Sequence, residues 1–278
     1  MRQSQMNLSF LEPRPALKAF VRCIWIFESA VGLPLAEQSV VTPTGGPRLI
    51  LACENAILSR AKGREGENRD HTLYLLGVRD VPVTLYTRPG RTLFIGVDFS
   101  PQGAHALLKV PMFELTNRAT PLADLISVGG SPISEDLWSC ATAEEKVDSV
   151  QDFLCQRLSQ DRANPIVDYC VAAIERSSGG VSVQDLAERS GYSRRYLEML
   201  FQNHVGITPK RLASIIRFQS VYRSWAAHNA YGDILGAASN RYYDQAHFVR
   251  HFKQMTGFPP HYFTSNVPNE FGRRLTVR

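Results

Sequence analysis

The chain has 278 residues with 44% hydrophobic, 21% charged and 10% aromatic content, a composition typical of globular proteins and unlike that of collagen or disordered chains. Its length exceeds what one hydrophobic core usually organises, so we expect two domains. The longest apolar runs, such as residues 73–78, fall far short of the roughly 18 residues of a membrane-spanning helix. The N-terminus also lacks the apolar segment of a signal peptide. These features predict a cytoplasmic protein with no membrane partner.

The formal net charge of +5 is unevenly distributed along the chain. Residues 1–162 carry 17 Lys and Arg against 18 Asp and Glu, whereas residues 163–278 carry 14 against 8. The C-terminal part therefore has a net charge of +6 from its 14 basic and 8 acidic residues. Such an excess favours binding to a polyanion such as nucleic acid.

The five cysteines form an odd number without C-x-x-C spacing. This pattern indicates neither a disulfide framework nor a structural zinc site. We expect reduced thiols in or near the cores, with Cys23 and Cys53 as the candidates for a thiol-based redox switch.

The first part of the chain has the signals of an antiparallel β-domain. Its apolar runs are short and are separated by Gly, Pro and polar turn residues. These runs cover residues 49–52, 73–78, 83–87 and 92–99. Residues 59–71 are charged and contain glycine, so we predict an exposed loop there.

The division between the domains is predicted near residue 162. Residues 142–158 have the apolar spacing of an amphipathic helix, and Thr142 with Glu145 forms a capping box at its start. The following residues, 159–165, lack apolar periodicity and indicate a linker. The domains are therefore residues 1–162 and residues 163–278.

The second domain has a helical pattern in which one arrangement occurs twice. In the first copy, residues 182–209, Ser182 and Ser193 cap two short helices and Gly191 turns the chain between them. The second copy covers residues 232–260. Its closing residues Phe252, Gly257 and Pro260 each stand 51 residues after Phe201, Gly206 and Pro209.

This arrangement predicts two tandem helix-turn-helix units. They are joined by a predicted helix over residues 208–227, which would be roughly 30 Å long. That length is close to one turn of DNA, about 34 Å, so two recognition helices could enter successive segments of the major groove.

Two stretches of the second domain closely resemble the DNA-binding domain of AraC-type (AraC/XylS) transcriptional regulators. They are GYSRRYLEMLFQNHVGITPKR at residues 191–211 and YYDQAHFVRHFKQMTGFPPHYF at residues 242–263. Residues 15–29 and 97–125 are similar to an uncharacterised N-terminal domain often joined to such regulators. The resemblance implies that residues 1–162 form a cupin-like barrel for effector binding or dimerisation, and that residues 163–278 bind double-stranded DNA.

The second unit departs from the family pattern at two positions. Arg241 stands where the turn glycine is expected, and Gly236 stands where the first copy has Leu186. A glycine inside a helix costs about 1 kcal/mol relative to alanine. We therefore expect the second unit to be the looser of the two.

The resemblance places the DNA-contacting positions on the outer faces of the two recognition helices. Arginine pairs well with guanine and glutamate with cytosine, whereas methionine offers only apolar contact to the thymine methyl group. The expected contacts are Arg194, Arg195, Glu198, Met199 and Gln202 on the first helix, and Gln245, Ala246, Val249 and Arg250 on the second. Lys210, Arg211 and Lys253 are expected to contact phosphates.

Effector-binding residues cannot be assigned from the first domain's composition. Its aromatic residues suit a ligand pocket and a hydrophobic core equally well; they are Trp25, Phe27, Tyr74, Tyr86 and Phe94. Two histidines, His71 and His105, are too few for the multi-histidine site of a cupin oxygenase. His247 and His251 have a spacing that can hold zinc, but no H-E-x-x-H pattern accompanies it, so we expect no metal and no cofactor.

The sequence therefore predicts an α+β protein with an N-terminal β-rich, cupin-like barrel with flanking helices. Its C-terminal domain is all-α, with two tandem helix-turn-helix units joined by a long helix. The predicted function is sequence-specific transcription regulation, with a small-molecule effector, a homodimer formed through the N-terminal domain, and RNA polymerase as a partner if the protein is an activator. The alternatives are a thiol-based redox-sensing regulator and a cupin-type enzyme with a DNA-docking domain. The enzyme is disfavoured because no nucleophile–base or metal-ligand constellation is evident.

Overall fold

The computed structural model describes residues 6–126, 137–158, 164–228, 234, 236, 238–239 and 241–276. A β-rich N-terminal half precedes a helical C-terminal half, which confirms the predicted α+β class. The N-terminal half is made of two antiparallel sheets that enclose a hydrophobic core between them, and we call it the barrel.

In the described part of the chain, the larger sheet has six strands and the smaller sheet has four. In chain order the strands are β1 (Met6–Leu11), β2 (Val21–Ser29), β3 (Ser39–Val41), β4 (Arg48–Glu54), β5 (Ile57–Ala61), β6 (Arg64–Asn68), β7 (Thr72–Leu76), β8 (Val83–Tyr86), β9 (Thr92–Phe99) and β10 (Ala119–Pro121). The larger sheet has the order β1-β2-β9-β4-β7-β10, and the smaller has the order β3-β8-β5-β6. The apolar runs of the sequence therefore became strands as predicted.

The central strands of the larger sheet are buried on both faces, because successive side chains point to opposite sides of a strand. Ile24 and Ile26 of β2 belong to a core on the outer face. Trp25 and Phe27 of the same strand belong to a second core inside the barrel. This double burial explains why β2 and β9 are apolar almost throughout.

Residues 59–71, predicted as an exposed loop, lie largely in the hairpin of β5 and β6. Lys62 and Gly63 make the turn, with φ of 48° and 74°, which is the backbone that a tight hairpin favours. Arg60 and Glu65 form an ion pair across the strands at 2.6 Å. The loop prediction was wrong because an exposed, charged hairpin has the composition of a loop.

Helices dominate the rest of the chain. They are α1 (Gly103–Leu108), α2 (Ala143–Gln156), α3 (Pro165–Arg176), α4 (Val183–Ser190), α5 (Arg194–His204), α6 (Pro209–His228), α7 (Gln245–Thr256), α8 (Pro260–Asn266) and α9 (Glu270–Thr276). The capping box of Thr142 and Glu145 begins α2 as predicted. Most of the predicted linker, residues 159–163, lies outside the described residues. In the described part of the chain, no helix has both the length and the apolarity to cross a membrane.

The last helix, α9, packs against the first half of the chain. Phe271 and Leu275 are 3% and 5% exposed and join the core inside the barrel. Just before α9, the Asn269 side chain accepts a hydrogen bond from the backbone N–H of Val40 at 2.7 Å and donates one to the Tyr222 hydroxyl at 3.1 Å. The C-terminal segment thus connects the barrel to the helical half.

Candidate nucleic-acid interface and barrel cavity

Helices α4 and α5 form a helix-turn-helix unit whose local signals act as predicted. Ser182 caps α4, accepting a hydrogen bond from the backbone N–H of Asp185 at 3.0 Å. Gly191 ends that helix in the left-handed conformation with φ of 74°, a backbone that favours glycine. Ser193 then caps α5, accepting from the backbone N–H of Tyr196 at 3.2 Å. These contacts fix the direction in which α5 leaves the turn.

The outer face of α5 is exposed to solvent in the described part of the chain. Arg194, Arg195, Glu198 and Met199 are exposed, Met199 to 57%, whereas Gln202 is half-buried. The structure thus brings the first four predicted residues to one accessible surface.

Two exposed aromatic residues lie beside this surface, and the sequence analysis assigned neither of them to it. Tyr192 and Tyr196 are 42% and 37% exposed, and their rings stack at 5.1 Å. The sequence signal that could have identified them is the pair of tyrosines four residues apart around the start of the predicted helix.

Helix α7, predicted to be the second recognition helix, presents a smaller polar surface. Asp244 caps it, accepting from the backbone N–H of His247 at 2.6 Å. Gln245, Ala246 and Arg250 are exposed, but Val249 is half-buried against the helical core.

The turn before α7 is only partly described, because residues 229–233 and 240 lie outside the described part. Within it, the backbone N–H groups of Arg241 and Tyr242 both donate to the Ala238 carbonyl, at 3.0 and 3.1 Å. Tyr243 is 96% exposed beside the helix start. It is a further surface residue that the sequence reasoning did not single out.

The three expected phosphate contacts lie in different surroundings. Lys210 and Lys253 are exposed. Arg211 is half-buried and forms an ion pair with Asp80 of the N-terminal half at 3.2 Å. In this arrangement Arg211 contacts the barrel rather than the open surface.

The helix joining the two units, α6, also contacts the barrel. The buried Gln219 side chain donates to the Thr42 hydroxyl at 3.0 Å and to the Pro43 carbonyl. Gly45 approaches the same helix so closely that a Cβ there would lie 2.9 Å from a methyl carbon of Leu212. A conformational change in residues 42–45 would therefore reach α6 directly.

His251, whose spacing from His247 can hold zinc, makes hydrogen bonds through both of its ring nitrogens. Its Nδ1 lies 2.7 Å from the Tyr242 hydroxyl, and its Nε2 lies 2.8 Å from the Ser214 hydroxyl. Burial lowers the pKa of His251 to about 4. The residue thus holds α7 against α6.

A partly open cavity of about 60 Å³ lies inside the barrel. Trp25 and Phe94 line it, Phe27 packs behind Phe94 at 5.7 Å, and Phe271 of α9 covers one side. Aromatic residues of the barrel therefore serve both the core and a cavity. The polar groups in its wall include Thr42, the residue bonded by α6.

The burial of the cysteines is relevant to the alternative of a thiol-based redox switch. Cys23, Cys53 and Cys170 are buried, and Cys140 and Cys155 are half-buried. Burial raises the pKa of Cys53 to about 12 and that of Cys170 to about 11. Both are therefore protonated at neutral pH, and a thiolate is the reactive form of cysteine.

Comparisons with known families assign both halves of the chain to recognised domains. Residues 186–266 match a helix-turn-helix domain, and residues 9–121 match a domain of unknown function, DUF6597. A search of the curated proteins found no match.

Solved structures give weak similarities over both ranges. An apo lysine-to-alanine variant of ToxT from Vibrio cholerae matches with a TM-score of 0.45 at 11% identity, covering 86% of this chain and 96% of that one. Wild-type ToxT from the same organism, with a bound unsaturated fatty acid, matches with a TM-score of 0.41 at 13% identity, covering 95% and 97%. A cupin superfamily protein from Desulfitobacterium hafniense matches with a TM-score of 0.26 at 14% identity, covering 36% and 81%.

Proposed function

We propose that this chain, whose residues 186–266 match a helix-turn-helix domain, is a sequence-specific transcription regulator of the AraC type that contacts two successive major-groove segments of DNA. The observation that carries the proposal is the open outer face of α5, where Arg195 and Glu198 stand on a helix fixed at its start by Ser193. Arginine and glutamate can pair with the major-groove edges of guanine and cytosine. The excess of basic residues in the same half supplies attraction to phosphates.

The second recognition helix supplies fewer hydrogen-bonding groups. Gln245 and Arg250 are the exposed polar members of its predicted set, while Ala246 and Val249 offer only apolar contact. We therefore expect stricter base preference in the half-site bound by α5. Lys210 and Lys253, both exposed, are proposed to contact phosphates and so to position the protein without selecting bases.

Regulation through the N-terminal half is part of the proposal. The barrel touches α6 through Gln219, and α9 covers the barrel cavity with Phe271. A ligand can regulate DNA binding only if it binds two arrangements of the chain with different affinity. The contacts of α6 and α9 with the barrel allow a ligand in the cavity to have different affinities for two arrangements of these helices. Dimerisation through this half and contact with RNA polymerase remain parts of the same proposal.

The two alternatives have less support. A redox switch needs an accessible thiolate, whereas burial raises the pKa of Cys53 far above neutral pH. An enzyme needs a convergent set of reactive groups. Within the described residues, no group of three or more His, Cys, Asp or Glu side chains could hold a metal ion.

The test is selection of bound sequences from randomised duplex DNA with the full chain. Arg195→Ala is expected to relax preference at one or two base pairs and to weaken the selected site by about 1 to 3 kcal/mol. Lys253→Ala is expected to weaken binding to all sequences alike. Arg88→Ala serves as a matched control, since this arginine lies on the barrel and its side chain is 63% exposed.

Equal loss of base preference from Arg195→Ala and Lys253→Ala would contradict the assigned helix faces. Absence of any selected sequence would contradict sequence-specific binding itself. A loss of affinity in Arg88→Ala equal to that in Arg195→Ala would show that only overall charge matters.

A further inference from the structure

Two arginines line the barrel cavity, and they differ in whether the protein supplies a carboxylate to pair with the charge. Arg48 and Arg79 both line the cavity, together with Trp25, Ile50, Asn68 and Phe94. Most of the cavity wall is apolar. An arginine facing such a wall keeps its charge at a cost in free energy unless an anion or several hydrogen-bond acceptors surround it.

Arg48 already has a complete set of partners. Its guanidinium donates two hydrogen bonds to the Asp98 carboxylate, one of them at 2.9 Å, and both side chains are only 12% exposed. The Trp25 indole donates to the same carboxylate at 3.1 Å, and the Arg48 guanidinium lies 5.4 Å from the Trp25 ring centre. The charge of Arg48 is thus neutralised within the protein.

Arg79 lacks any such partner within the described part of the chain. Its side chain makes no hydrogen bond and no ion pair there, and the neighbouring carboxylate of Asp80 is held by Arg211 and Asn117. Burial is the main cause that lowers the pKa of Arg79, and the positive charge of Arg48 lowers it further. The fold therefore leaves the half-buried Arg79 cation beside a mostly apolar cavity without supplying its anion.

We propose that the barrel cavity binds a short-chain organic carboxylate, with the Arg79 guanidinium holding the carboxylate group and the aromatic wall enclosing the apolar tail. Arginine binds a carboxylate with two parallel hydrogen bonds, a geometry that a single neutral donor cannot reproduce. The side-chain amide of Asn68, which also lines the cavity, can donate a further hydrogen bond to the same group.

The size of the cavity sets the size of the ligand. A cavity needs about 10 to 15 Å³ to hold one water molecule. A cavity of about 60 Å³ therefore accommodates roughly four to six heavy atoms. This range corresponds to carboxylates of about two to four carbons, with propionate and butyrate filling it best. Inorganic phosphate would match the charge but would leave the apolar wall without a partner.

This inference rests on the regulatory part of the proposed function and deepens it, because it names the class of ligand that the barrel cavity binds. Carboxylate binding can still be measured without DNA. Thr42 nevertheless connects the two, since it lines the cavity and accepts a hydrogen bond from Gln219 of α6. Failure to bind carboxylates and failure to bind DNA are therefore separate outcomes of separate experiments.

The test uses calorimetric titration and thermal unfolding of the full chain with propionate and butyrate at neutral pH. Butyramide, a neutral compound of nearly the same shape, and inorganic phosphate are the comparison ligands. We expect the carboxylates to bind saturably and to raise the melting temperature, whereas butyramide does neither. A ligand that binds only the folded state must raise its stability in this way.

Three variants of the chain separate a binding role of Arg79 from a structural one. Arg79→Met is expected to weaken butyrate binding about ten- to hundredfold, the value of a charged hydrogen-bond pair. It should not lower the melting temperature of the unliganded chain, because it removes a half-buried charge that has no ion-pair partner among the described residues. Arg79→Lys keeps the charge but loses the paired donors, so it should bind with intermediate affinity. Arg91→Met, at an arginine whose side chain is 78% exposed, should bind like the original chain.

Several results would overturn the proposal. These are no binding of any carboxylate of about two to four carbons, equal binding of butyrate and butyramide, or unchanged butyrate affinity in Arg79→Met. Binding of inorganic phosphate to the exclusion of butyrate would also overturn it.

Discussion

Replacement of Phe271 by alanine tests whether the C-terminal helix is part of the barrel core. Phe271 is 3% exposed. Its ring meets that of Phe27 edge-on at 5.1 Å and that of Trp25 at 6.4 Å. The substitution therefore removes two aromatic contacts and opens the cavity at the same time.

The expected cost follows from this burial. Truncation of a buried phenylalanine to alanine destabilises a protein by about 3 to 5 kcal/mol, which includes the lost transfer free energy and the cavity that remains. Phe113→Ala is the matched control, because Phe113 is 52% exposed. Exposed positions change stability by about 0.5 kcal/mol or less.

Urea unfolding of the full chain measures both variants, with circular dichroism for the helices and with tryptophan fluorescence, to which Trp25 beside Phe271 contributes together with Trp138 and Trp225. The account predicts a large shift of the fluorescence-detected midpoint for Phe271→Ala and almost none for Phe113→Ala. A loss below about 1 kcal/mol for Phe271→Ala, equal to that of the control, would refute the packing of α9 in the barrel.

Three further outcomes can be measured by the same unfolding experiments. Gln219→Leu should destabilise the chain by about 1 to 3 kcal/mol, because it leaves the buried Pro43 carbonyl without its donor; an unchanged midpoint would argue against the contact. Gly236→Ala should stabilise it by about 1 kcal/mol, since Gly236 is helical and a Cβ there meets open space; destabilisation would show that the helix requires glycine. Burial is the main cause that lowers the pKa of both His204 and His251 to about 4, below the value of about 6.5 in the unfolded chain. The folded chain therefore binds fewer protons between these values, and its melting temperature should fall as pH falls from about 6.5 towards 4; a flat profile would contradict this.

The local signals of the sequence predicted the helix-turn-helix unit well. Caps and turns depend on a few neighbouring residues, so Ser182, Gly191 and Ser193 could be assigned from the order of residues alone. The exposure of Arg195 and Glu198 followed from the same reasoning, because the buried positions of a short helix fix its outer face.

Contacts between the two halves could not be predicted, because they join residues far apart in the chain. Gln219 is a buried polar residue among the apolar positions of α6, and its hydrogen bond to Thr42 of the N-terminal half explains why it is polar. Arg211 has the residue type of a phosphate contact but pairs with Asp80 instead. Likewise, the sequence does not show that Arg79 lines a cavity, because the residues that form this cavity are far apart in the chain.

Hydroxyl-radical footprinting of the full chain on its selected DNA site tests the central claim most directly. Helix α6 has 20 residues and is therefore roughly 30 Å long, close to the rise of one DNA turn, so the two recognition helices should protect two windows about 10 base pairs apart on one face of the duplex. Arg195→Ala should weaken protection of one window more than the other. A single protected window, or uniform protection without sequence preference, would contradict the account.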